Sequence, residues 1–91
     1  MPVISVFYGL IVSMYYLDSK RHHIPHIHVN FGELEAVYSI PDGILLEGGL
    51  TLKKEKLVLH WIGLHKEELM KNWEAASNGL PVNKIKPLAK K

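Results

Sequence analysis

Cysteine is absent from the 91 residues, which removes disulfides, thiolate zinc sites, iron–sulfur clusters and a cysteine nucleophile together. Long apolar runs are missing as well. The most apolar stretch, residues 3–17, is interrupted by Gly9 and Ser13 and has no basic region in front of it. A membrane helix needs about 20 consecutive apolar residues, and a signal peptide needs a charged leader. Neither is expected here, and a cytoplasmic location is. A glycine-rich phosphate loop is also lacking, because Gly48-Gly49 is not followed by a lysine and a hydroxyl residue at the required spacing. Nucleoside triphosphate hydrolysis is therefore disfavoured.

What is present suits one small globular domain. Residues 1–91 are too few for two independent cores, and 47% hydrophobic with 22% charged residues excludes a disordered chain. The formal net charge of +2 hides an asymmetry: residues 1–50 carry two basic and five acidic side chains, residues 51–91 nine and four. Lys84, Lys86, Lys90 and Lys91 fall in the last eight residues. A phosphate backbone or an acidic protein can meet such a cluster, although a solvated tail is the plainer reading, since blocks of like charge repel.

Periodicity supplies the elements. Residues 3–8 and 10–17 are rich in β-branched and aromatic side chains, separated by Gly9, and read as one bent strand or two short ones. From His26 the alternation is strict: Ile27, Val29 and Phe31 take one face of a strand, and His26, His28 and Asn30 the other. Gly32-Glu33 signals a type II′ hairpin. Its register sets Phe31 against Leu34, Val29 against Ala36 and Ile27 against Tyr38, with Asn30–Glu35, His28–Val37 and His26–Ser39 on the reverse face. A second turn is expected at residues 40–43, with a returning strand over residues 44–50. After Thr51 the period becomes helical, with Val58, Ile62, His65, Leu69, Trp73 and Ala76 three or four apart. One long helix over residues 52–78 is predicted, stopped by Gly79 and Pro81.

The expected fold is thus α+β: an antiparallel sheet of three to five strands packed on one long C-terminal helix. Residues 1–50 supply the sheet, 51–79 the helix and 80–91 an extended basic tail, in which Pro81 and Pro87 hold Val82 to Leu88 extended as a short strand or an arm laid on the body. Ile62, Leu69 and Trp73 should bury against Ile27, Val29 and Tyr38, which leaves the histidine face of the sheet uncovered by the helix.

Several clusters of residues resemble a known family. Met1-Pro2 with Ile4, Phe7-Tyr8-Gly9, Met14-Tyr15-Tyr16, residues 23–29 (HIPHIHV) and Phe31-Gly32-Glu33 carry the resemblance in the first half, and Leu57-Val58, Trp61, His65, Glu68-Leu69 and Asn72-Trp73 in the second. Together they are similar to the small bacterial domain-of-unknown-function family 4160, over almost the whole chain. One departure is Ile24, which stands where the family has the first of two prolines. Members typically sit beside a gene for a second small domain, so the resemblance implies a toxin–antitoxin-type pair with a small cognate protein encoded nearby. It implies no catalytic residue.

The residues themselves single out the histidines. His26 and His28 lie about 6.5–7 Å apart at Cα on one strand face, a spacing that suits two imidazoles on one metal. Glu35, diagonal to His28, and a loop histidine, His22 or His23, could complete a three-ligand site. Histidine-x-histidine also occurs on strands without metal, and no helical pair supports it, so no metal or cofactor is assigned. A second chemistry makes His26 and His28 the general acid and base of a small metal-independent ribonuclease, with Glu35 beside them and Lys20 and Arg21 holding phosphate. The bland alternative is that both histidines pair across the hairpin with Glu35 and Ser39.

Three functions remain open. The leading one is a component of a bacterial toxin–antitoxin-type module that binds a small cognate protein through Lys20, Arg21, His23 and Asn30. The others are the ribonuclease and an RNA- or DNA-binding regulatory module using the helix and the lysine tail. A second copy of the chain is a further candidate partner, and a membrane is not. On an exposed histidine face, alanine at both His26 and His28 is expected to cost no more than about 0.5 kcal/mol.

Overall fold

The first apolar run folds back on itself. In the computed structural model, which describes residues 3–15 and 24–88, β1 (Val3–Phe7) and β2 (Leu10–Ser13) form an antiparallel hairpin. Its turn is Tyr8-Gly9, with φ of 52° and 80°. Positive φ at both central residues gives the turn the same twist as its strands. A Cβ on Gly9 would stand 3.0 Å from the Phe31 ring, so glycine also lets the turn lie close over that side chain.

β3 (His26–Phe31) pairs with β2 on one side and with β4 (Leu34–Ser39) on the other, and β5 (Leu45–Gly48) completes a five-stranded antiparallel sheet in sequential order. The β3–β4 register is the expected one, from Phe31 opposite Leu34 to His26 opposite Ser39. Gly32 has φ of 59° while Glu33 does not share the positive region, as a type II′ turn requires. Between β4 and β5 the Ile40–Pro41 peptide is cis, and the Gly43 N–H donates to the Ser39 carbonyl at 2.8 Å.

The single long helix is corrected. Two helices form, α1 (Leu52–Leu64) and α2 (Lys66–Ser77), with His65 between them at φ −125° and ψ 30°. Thr51 caps α1, its Oγ1 accepting the Lys54 N–H at 3.3 Å. A straight helix of residues 52–78 would be about 40 Å long at 1.5 Å per residue, more than the molecule's longest extent of 35 Å. The break lets Val58, Trp61 and Ile62 on α1 and Leu69 on α2 all reach one core. His65 secures it: its N–H is shared by the Trp61 and Ile62 carbonyls, and its Nδ1 meets Glu68 at 2.8 Å.

The core joins Ile4, Phe7, Leu10, Val12, Ile27, Val29 and Tyr38 of the strands to those helical residues. Each large apolar side chain so buried contributes about 1.5–3 kcal/mol. The C-terminal segment is not a solvated tail over its described part. Ile85 is 3% exposed, and its N–H donates to the Ile4 carbonyl at 2.8 Å. The Trp61 Nε1–H donates to the Lys86 carbonyl at 2.9 Å. Asn72 exchanges two hydrogen bonds with the Asn83 backbone, at 2.7 and 3.0 Å. No helix among the described residues is long and apolar enough to cross a membrane.

Candidate functional site

Pairing across the sheet sorts the side chains of the histidine face into rows. One row runs Val6, Ile11, Asn30, Glu35, and the next Ser13, His28, Val37, Glu47; His26 pairs with Ser39 beyond them. Partners directly opposite in antiparallel strands share a face.

The expected exposure of this face is corrected at its histidine end. His26 is completely buried and His28 is 9% exposed. The reason lies in α2, whose Trp73 ring stands 5.1 Å from the His26 ring, centroid to centroid. Tyr15 meets His28 edge-on at 4.7 Å, and the two imidazoles lie 5.4 Å apart, also edge to face. Such offset and edge-on arrangements are the favourable ones for aromatic rings.

The polar atoms are partly committed. His26 Nδ1 donates to the Ile24 carbonyl at 2.8 Å; a carbonyl can only accept, so the hydrogen sits on Nδ1. His28 Nδ1 faces Glu35 Oε2 at a longer 3.4 Å, and the Glu35 side chain is largely exposed. Asn30 is half-buried beside Glu35 and Ile11. Lys20, Arg21 and His23 lie outside the described residues. Among the described residues no group of three or more His, Asp or Glu is placed to hold a metal ion. The structure therefore brings His26, His28 and Glu35 together, but as a packed histidine–aromatic cluster in which His26 has no open side toward solvent.

At its other end the same face is open. Val6 is 56% exposed and Ile11 42%, side by side across the hairpin. Sequence reasoning missed this apolar patch because it left the β1–β2 pairing unresolved. The signal was available: Val6 and Ile11 flank Phe7 and Leu10 symmetrically about Tyr8-Gly9.

On the helix side, Tyr38 donates to Glu55 at 3.0 Å. Burial first, then the bond to the Glu55 carboxylate and its charge, push the Tyr38 pKa well above the ordinary phenol value.

The histidine–aromatic cluster lies within the 66-residue span, residues 9–74, that matches the family model described as Domain of unknown function (DUF4160). The chain belongs to that family. No curated protein and no solved structure matches it. The DUF4160 match takes in β2 to β5, α1 and α2 up to Glu74, so Tyr15, His26, His28 and Trp73 all fall inside it. β1 and the docked C-terminal segment fall outside, although each packs on the other.

Proposed function

We propose that this DUF4160 chain is a component of a bacterial toxin–antitoxin-type module that acts in the cytoplasm by binding a small cognate protein. The observation that carries the reading is the open apolar end of the histidine face, where Val6 and Ile11 are 56% and 42% exposed next to Asn30 and Glu35. Contiguous exposed apolar side chains with a polar rim are what a protein interface offers. A strand face is rigid, so binding there loses little conformational freedom.

The ribonuclease alternative draws less support. A general acid or base must come within hydrogen-bond reach of its substrate, and His26 is enclosed by Trp73 and His28 with its Nδ1–H given to Ile24. The nucleic-acid reading, which uses the helix and the lysine tail, keeps exposed Lys53, Lys56, Lys66 and Lys71 on the helices and Lys84 and Lys86 in the described part of the tail, but no single observation favours it.

Co-expression with the small protein encoded beside it, followed by size exclusion, tests the proposal. The pair should co-elute at micromolar concentration, and Val6→Asp with Ile11→Asp should separate them while leaving the far-ultraviolet spectrum intact. Separate elution of the wild-type pair, or co-elution untouched by the double substitution, would remove the proposed interface. The same column run on the chain alone shows whether a second copy takes the face instead.

A further inference from the structure

β1 is an edge strand of the sheet, and edges left unpaired recruit other strands. Here the C-terminal segment lies alongside, touching the edge through the Ile85 N–H to Ile4 carbonyl bond. Between β1 and that segment runs an open groove of about 410 Å³. Its sides are Val3 and Val6 on the strand and Ile85 on the segment, with Lys84 and Lys86 at the rim. Alternation along the extended segment explains the layout: Ile85 turns inward at 3% exposure, so Lys84 and Lys86 turn outward.

Charge constrains the occupant. Among the described residues no aspartate or glutamate lines the groove, and β1 and β2 carry no charged side chain, so no described carboxylate there neutralises the lysines. Ser5 also borders the groove but is only 6% exposed, so the accessible strand side chains are Val3 and Val6.

We infer that the groove between β1 and the C-terminal segment binds an extended acidic peptide segment of the cognate partner. Apolar side chains of that segment pack on the exposed Val3 and Val6, and its carboxylates reach Lys84 and Lys86. The inference rests on the proposed partner-binding function and locates it, since Val6 belongs to both the open face and the groove. Nucleic acid fits less well: the walls are aliphatic and offer no aromatic platform for bases.

A fluorescein-labelled peptide alternating valine and glutamate is the probe, with a valine–lysine peptide and single-stranded oligothymidine as competitors. Anisotropy should show binding of the acidic peptide that weakens with salt and falls about tenfold or more in Lys84→Glu with Lys86→Glu. Both side chains are exposed, so this variant should fold as the wild type does. Equal binding of the lysine peptide, tighter binding of the oligonucleotide, or an affinity unchanged by the double reversal would overturn the inference. The two readings fail separately. A cognate complex that survives the double reversal, with no peptide binding, removes the groove and leaves the partner function; lysine-dependent peptide binding without a cognate complex does the opposite.

Discussion

His26 is held on three sides: its Nδ1–H by the Ile24 carbonyl, one flank of its ring by Trp73 and another by His28. Alanine there would open a cavity and leave that carbonyl without its donor, at a cost of about 2–4 kcal/mol. This replaces the small surface cost expected for an uncovered face. Urea unfolding of His26→Ala measures it, and a change under 1 kcal/mol would show that the cluster does not hold the fold. Tyr38 makes a pH-dependent contribution instead. Its pKa is raised in the folded chain, so the neutral phenol is the form that folding favours. Its contribution is complete below the ordinary phenol value near 10 and is lost as pH rises from there through the folded value. Below pH 10, Tyr38→Phe should be less stable than wild type by about 1–2 kcal/mol through the lost bond to Glu55, and the difference should shrink steadily above it. A constant difference would mean that the phenol does not titrate with unfolding.

Among the elements, the C-terminal segment depends on few attachments, and Asn72 provides two of them, both to the Asn83 backbone. Asn72→Ala should destabilise the protein by about 1–3 kcal/mol and speed hydrogen exchange at the Ile85 amide before that of the β3–β4 ladder; uniform acceleration would mean the segment unfolds only with the whole. Sequence could reveal the β3–β4 hairpin because strict alternation and Gly32 act locally and agree. The helix break was invisible for the opposite reason: Val58, Ile62, His65, Leu69 and Trp73 keep one continuous stripe, and the break falls at His65, not at a glycine or proline. For the tail, Pro81 and Pro87 do signal an extended arm that can lie on the body, but its anchors were hidden, since Trp61 takes a backbone carbonyl as its partner and the lysines around Ile85 read as solvated. Parity correctly put His26 and His28 on one face. Whether that face was covered depended on where α2 carries Trp73, which no local pattern encodes.

At the scale of the molecule, one core cluster ties β1 to β4, both helices and Ile85 together, so no part has an apolar interior of its own. Fluorescence of Trp61 and Trp73 and far-ultraviolet circular dichroism should therefore report one urea midpoint; separated midpoints would mark an independently melting part. That cooperativity makes stability a gauge of binding. Whatever occupies the open face binds the folded chain and not the unfolded one, because Val6, Ile11, Asn30 and Glu35 are aligned only by strand pairing. A cognate protein at about 100 times its dissociation constant then adds about 2.7 kcal/mol, which for a domain of this size raises the melting temperature by about 10–20 °C. The same excess should leave the melting temperature of the Val6→Asp with Ile11→Asp variant unmoved. Since Val6 is 56% and Ile11 42% exposed, that variant alone should melt close to wild type, and scanning calorimetry with and without the cognate protein separates the two effects. An equal rise in variant and wild type would place the interface away from the β1–β2 end of the sheet.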